Sequence, residues 1–212
     1  MGVMSYYIGL SILSNKKAAS AEARRILSVF NPGAEIREDA NGRPYFPCCD
    51  ADFNISHCKR PREYSTGALT AVSFTRGART GCDIEQVRYR ENAGEIAKTY
   101  FSASEINYIS GSDEKASFFK IWTLKECYIK LRGMSVFDMA SVPSFIKDDG
   151  SFGFCSSENL HLPLFFSLYD LSYGNEQYIL CAVAEGGNFK PPEVRWFSQS
   201  PFICKNIIEI KA

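Results

Sequence analysis

From Glu114 to Leu131 apolar side chains fall on nearly every helical bearing: Phe118, Phe119, Ile121, Trp122, Leu124, Tyr128, Ile129 and Leu131, with no Gly or Pro among them. The pattern predicts a buried helix ending at or just past Gly133, because a helix apolar on all sides needs core on all sides. Lys125, Glu126 and Lys130 interrupt it, and Glu126 and Lys130, four apart, share a face. An unpaired charge taken inside costs several kcal/mol. These three therefore need partners: one another, or a site that holds a metal and an anion.

Other periods mark the remaining elements. Ser5 to Ile12 is aromatic and β-branched and predicts a strand. Lys16 to Phe30 places Ala19, Ala23, Ile26, Leu27 and Phe30 at helical spacing, and Asn31-Pro32-Gly33 stops it. Asn41 to Pro47 is turn punctuation followed by an extended aromatic segment, and Phe53 to His57 is a short strand ending in polar groups. Gly67–Phe74 and Thr80–Val87 are β-rich runs flanking Thr75–Arg79, which predicts a hairpin. Glu91–Phe101 predicts a helix, Ser102 and Glu105 a capping box opening the next, and Ser112 or Asp113 a cap for the central helix. Beyond Gly133 strands are expected at Ser151–Cys155, Leu164–Leu171, Tyr178–Ala184 and Val194–Phe197, with the tail from Ser198 adding a strand or packing on the core.

Each half thus reads as a helix with strands, which predicts an α+β fold of two similar halves, 1–90 and 91–212. At 212 residues and 45% hydrophobic the chain can build an ample core. Its 24 basic residues equal its 24 acidic ones, against the basic excess of a nonspecific nucleic-acid binder. No apolar run reaches membrane-spanning length and no signal-peptide pattern opens the chain, so a cytoplasmic protein is expected. Eight cysteines without a CxxC, and two histidines, argue against zinc and for reduced thiols, Cys48-Cys49 included.

Candidate chemistry then gathers on few residues. Asp83 and Glu85, two apart on a strand, point to one face and repel unless a cation lies between them. With Glu126 they make an all-oxygen donor set suited to a hard cation, above all Mg²⁺, with phosphate oxygens as further ligands and lysines to neutralise the rest. Ser56 and His57 at a strand end can bind phosphate through hydroxyl, imidazole and main-chain N–H groups. The basic residues Lys16, Lys17, Arg24 and Arg25, and the loop from Cys58 to Ser65, read as solvated surface or as further phosphate contacts. The combination predicts metal-assisted phosphoryl transfer or phosphodiester chemistry.

Four blocks, Asn41-Gly-Arg-Pro-Tyr45, Phe53-Asn-Ile-Ser-His57, Gly81-Cys-Asp-Ile-Glu85 and Trp122-Thr-Leu-Lys-Glu-Cys-Tyr-Ile-Lys130, together with Glu95–Ser102, resemble the 4'-phosphopantetheinyl transferases of the larger single-chain, surfactin-synthetase-activator type. The resemblance implies that family's fold, two halves related by a pseudo-twofold axis, in a monomer. It implies transfer of the phosphopantetheine arm of coenzyme A to a serine of an acyl or peptidyl carrier protein, releasing adenosine 3',5'-bisphosphate. Asp83, Glu85 and Glu126 then hold Mg²⁺, and Glu126 helps deprotonate the serine, with Glu105 a second candidate base near Lys130. Lys130, and beside it Lys125, stabilise the phosphate under attack. Gly42, Arg43, Pro44, Ser56, His57, Asp83 and Lys130 contact coenzyme A, Arg43 standing where the pattern usually has Lys. The segment after Gly133 is where the carrier protein docks. The N-terminal region is shorter than the family's usual basic, aromatic one.

Two other classes fit parts of this pattern. A metal-dependent nuclease also uses Asp-x-Glu with a nearby Lys, but the neutral charge and the lack of an aromatic-interleaved basic groove oppose it. A noncatalytic coenzyme A or carrier-protein binding module need not keep all three carboxylates and Lys130, which are present here.

Overall fold

The computed structural model describes residues 5–13, 18–40, 42–59, 68–156, 162–173, 175–186, 189–200 and 203–212. The expected roles of Lys16, Lys17 and the loop residues 60–65 lie outside the described residues.

The first part of the chain runs β1 (Tyr6–Leu13), α1 (Ala19–Phe30), the short pair β2 (Arg37–Glu38) and β3 (Pro44–Tyr45), then β4 (Ala51–Lys59) and β5 (Ala68–Arg76). The second runs β6 (Arg79–Gln86), α2 (Ala93–Tyr100), α3 (Ala103–Ser110), α4 (Glu114–Arg132), a 3₁₀ segment (Val136–Ser141), β7 (Ser144–Ile146), β8 (Phe152–Cys155), β9 (Leu164–Tyr173) and β10 (Glu176–Glu185). β11 (Glu193–Trp196) and β12 (Ile203–Lys211) follow.

Two four-stranded sheets result, ordered β11-β1-β5-β4 and β12-β9-β10-β6. Period-two alternation divides their faces. Ile8 and Leu10 of β1, Leu69 and Ala71 of β5, Cys82 and Ile84 of β6, and Tyr178, Leu180, Ala182 and Ala184 of β10 form one core between the sheets. The opposite face of the first sheet, with Phe53, Val72 and Phe74, packs on Ala23, Ile26, Leu27 and Phe30 of α1. The opposite face of the second, with Leu168, Ile179, Cys181 and Val183, packs on α4. The layers are α1, sheet, sheet, α4.

α4 is buried as its pattern requires. Phe119, Ile121, Leu124, Cys127 and Leu131 are all within the core. The Asp113 carboxylate accepts the Ala116 N–H at its start, and Gly133, left-handed at φ 68°, ends it. The expected capping box at α3 is present: Ser102 and Glu105 exchange side-chain and backbone hydrogen bonds.

One expectation changes. The β5–β6 hairpin does not form. β5 is flanked by β1 and β4 and has no edge left, so the chain turns at Gly77 (φ 71°) and delivers β6 to β10 in the other sheet. The chain passes from one sheet to the other at that turn, and β11 returns from the far end of the chain to lie parallel to β1. The tail adds a strand, one of the two outcomes expected for it: β12 is an edge strand paired with β9.

Candidate active site

The site lies where α4 crosses β6. Gly81 makes the approach possible: a Cβ there would stand 2.5 Å from the Cys127 carbonyl oxygen and 2.9 Å from the Leu131 nitrogen. With strand and helix backbones this close, Asp83 and Glu85, on the same face as Gly81, meet Glu126 and Lys130. The Cys127 thiol also donates to the Gly81 carbonyl at 3.4 Å.

Lys130 Nζ donates to Asp83 Oδ1 at 2.6 Å and to Ser56 Oγ at 2.9 Å, and the Ser56 hydroxyl donates to the same carboxylate oxygen at 2.8 Å. Burial works to lower the Lys130 pKa, but the charge of Asp83 and its hydrogen bond outweigh it and hold the ammonium above its usual range. Asp83 is 4% exposed, and its second oxygen, Oδ2, is buried with no hydrogen-bond partner among the described residues. Glu126 is pushed up to about 7, first by burial and then by the charge of Asp83, with Lys130 pulling the other way. Burial and Asp83 likewise raise Glu85. Neither Glu85 nor Glu126 has an ion-pair partner among the described residues.

Three carboxylates that repel one another, one with an orphaned buried oxygen, suit a hard divalent cation by donor chemistry and by uncompensated charge. Among the described residues no three acidic, His or Cys side chains already converge at ligating distance; the ammonium of Lys130 holds Asp83 instead.

Lys125 and Glu105 stand apart from this cluster. Lys125 Nζ is 3.2 Å from Glu105 Oε2 and donates to the Val142 carbonyl at 3.1 Å, while Glu105 accepts the N–H groups of Ser102 and Phe145. Both side chains are fully buried, at 1% and 0% exposure. Burial lowers the Lys125 pKa, and the charge and hydrogen bond of Glu105 oppose that. The pair ties α3, α4 and β7 together and touches none of Asp83, Glu85 or Lys130. The expectation that Glu105 sits near Lys130 is corrected by this geometry: adjacent positions on α4 diverge by about 100°, which sends Lys125 to α3 while Glu126 faces β6.

The remaining expected residues divide. Gly42, left-handed at φ 78°, closes the β2–β3 turn, and Pro44 begins β3. The Arg43 guanidinium turns inward, donating to Asp52 Oδ2 at 2.7 Å and to the Thr80 carbonyl at 3.2 Å. Ser56 joins Asp83 and Lys130, but His57, next to it on a strand, leaves on the other face and is exposed.

Sequence reasoning missed Arg90 and Gly81. Arg90 lies over the Trp122 ring at 4.5 Å, one helical turn before Glu126, and its charge acts on both Glu85 and Glu126. A Gly two residues before a strand's acidic pair, and so on the same face, was the signal for the close helix approach.

A family model described as the 4'-phosphopantetheinyl transferase superfamily matches residues 79–183, a span that opens on β6 and ends within β10. The 4'-phosphopantetheinyl transferase AcpT of Escherichia coli strain K12 is 32% identical over 146 residues, 66% of this chain and 71% of that protein. AcpT of Salmonella typhimurium is 30% identical over 152 residues, covering 69% and 75%. A 4'-phosphopantetheinyl transferase of Bacillus subtilis is 29% identical over 153 residues, covering 70% and 62%.

Proposed function

Because the chain belongs to the 4'-phosphopantetheinyl transferase superfamily, an enzyme family that uses coenzyme A as substrate and carrier proteins as acceptors, we propose how its own residues divide the work. The observation that carries the proposal is the meeting of Asp83 from β6 with Lys130 from α4, beside the raised carboxyl of Glu126.

Asp83, Glu85 and Glu126 are the residues to hold Mg²⁺, whose bound charge supplies neutralisation of the pyrophosphate. The carrier serine oxygen forms its bond to the phosphorus next to pantetheine, the bridging P–O bond breaks, and adenosine 3',5'-bisphosphate leaves. Glu126 takes the serine proton, directly or through a water. Without a bound cation, burial and Asp83 raise its pKa to about 7; a bound Mg²⁺ would favour the ionised carboxylate that the base role needs. Lys130 stays charged and stabilises the negative charge that grows on the transferring phosphoryl group.

Gly42, Arg43, Pro44 and Ser56 form the coenzyme A side of the site, Ser56 at its inner end against Asp83; His57, on the exposed face of β4, would reach coenzyme A only from outside that face. Lys125 and Glu105 act as a buried clamp rather than as catalysts. The carrier protein docks on the segment after Gly133, where Phe137 is 81% exposed. We further propose that the halves are related by a pseudo-twofold axis. Their connectivity supports it: each opens on a strand, continues through a helix, and orders its three own strands first-last-middle, β1-β5-β4 and β6-β10-β9. A cytoplasmic monomer with no nucleic-acid partner fits this reading.

The test is chromatographic detection of adenosine 3',5'-bisphosphate from coenzyme A. Release that requires both Mg²⁺ and an apo carrier protein is expected. Release without carrier, or none with several carriers, contradicts the assignment.

A further inference from the structure

β4 and β6 belong to different sheets, yet they run alongside each other. Among the described residues no backbone ladder joins them. The N–H groups on the free edge of β6 are taken instead by side chains of β4. Thr80 N–H donates to Asp52 Oδ2 at 2.9 Å, Cys82 N–H to Asn54 Oδ1 at 3.2 Å, and Ile84 N–H to Ser56 Oγ at 3.3 Å. The three acceptors are spaced by two on one strand and the three donors by two on the other, so the rungs stay in phase. The Cys82 thiol adds a bond to the Asn54 carbonyl at 3.3 Å. Arg43 closes one end of this ladder, through Asp52 and the Thr80 carbonyl. Lys130 and Asp83 close the other, through Ser56.

We infer that Asp52 and Asn54 are positioning residues that set the register of β6 against β4, and so hold Ser56 opposite Asp83. Without the ladder and the Ser56–Asp83 bond at its end, the facing strands keep, among the described residues, mainly apolar packing and a long 3.8 Å contact from the Cys82 thiol to the Ala71 carbonyl, and apolar packing tolerates a slide that directional bonds forbid. A slip of one residue would turn the acceptors of β4 to the wrong face, and a slip of two would offer Ser56 to Cys82 and leave Asp83 without it. Gly81 fixes β6 against α4 independently, so the metal-binding carboxylates and Lys130 keep one another while their relation to β4 is lost. Asn54 is the rung to test: it is 6% exposed and joins neither Arg43 nor Lys130.

The inference rests on the transferase reading for its kinetic part alone. The experiment compares Asn54→Leu, close in size but without the acceptor, with Val72→Ala, a cavity in the first sheet's core with no bond to β6. Amide hydrogen exchange and phosphopantetheine transfer are read well below both melting temperatures. Exchange at Cys82 is expected to quicken in Asn54→Leu alone, and kcat to fall about tenfold or more, because small misplacements at a transfer site are costly. Mg²⁺ binding is expected to persist. If Asn54→Leu does not fold, Asn54→Ala carries the same readouts. A Cys82 amide as protected as in the unsubstituted protein, or a kcat matching Val72→Ala, overturns the inference. Quickened Cys82 exchange in a protein that transfers nothing even when unsubstituted would keep the register claim and sink the transferase reading instead.

Discussion

Lys130 Nζ and Ser56 Oγ converge on one oxygen, Asp83 Oδ1, at 2.6 and 2.8 Å, so a helix and strands from two different sheets are fastened at a single carboxylate. The second oxygen of that carboxylate has no partner among the described residues. One half of Asp83 is thus committed to holding the site together, and the other is the oxygen the proposed Mg²⁺ would take.

Removing the ammonium should therefore act on the rate. Lys130→Ala is expected to lower kcat by about 10²-fold with little change in coenzyme A affinity, as for other charge-stabilising groups. Steady-state kinetics check this: a loss confined to KM would mean that Lys130 serves ground-state binding only.

Glu126 gives the site a pH signature. Its folded pKa of about 7 lies above the ordinary 4.5, so the folded protein holds a proton there that the unfolded chain releases. That contribution to stability is full below about pH 4.5 and is lost as pH rises through about 7. In metal-free protein Glu126→Gln should gain stability relative to the unsubstituted chain over this window, measured by denaturant melts at several pH values. Mg²⁺ affinity should rise up to about pH 7 and then level off, because cation and proton compete for one carboxylate. A pH-independent difference between the two proteins would contradict this account of Glu126.

The packing of β6 on α4 leaves no room at Gly81. Gly81→Ala puts a methyl 2.5 Å from the Cys127 carbonyl oxygen, and two backbones cannot yield as a side-chain tip can. A loss of about 3 kcal/mol or more is expected, at or beyond the upper end of overpacking costs. Near-unchanged stability by calorimetry would show that strand and helix separate freely.

Lys125 and Glu105 should behave as structure. Lys125→Met leaves a buried carboxylate without its cation and is expected to cost about 3–5 kcal/mol, whereas joining it with Glu105→Gln, which removes the charge and keeps an acceptor for one of the two backbone N–H groups, should recover part of that loss. The transfer rate per folded molecule should hold in the single variant. A large fall in kcat with stability intact would return Lys125 to the chemistry.

Much of this was legible in the residues. The all-round apolar pattern of α4, its Asp113 cap and Gly133 stop, and the Ser102–Glu105 box are local signals, and each appears as read. The spacing of Asp83 from Glu85 and of Glu126 from Lys130 put the right side chains on shared faces. What the chain did not disclose is non-local. Lys125 and Lys130 look alike in sequence, and only the position of α3 decides which is sealed against Glu105. The turn at Gly77 has hairpin chemistry, but the edges of β5 are taken by β1 and β4. The Asp52-Asn54-Ser56 ladder bonds to backbone 28 residues away, and no local propensity records such a partner.

The first experiment is the intact mass of an apo carrier protein after incubation with this protein, coenzyme A and Mg²⁺, beside an EDTA control and an Asp83→Ala variant. A gain of one phosphopantetheine group is expected, abolished by EDTA and cut by about 10²-fold or more in the variant. No mass gain with any of several carriers, together with no coenzyme A binding, would contradict the transferase assignment; an undiminished gain in Asp83→Ala would remove the carboxylate at the centre of the site from the reaction.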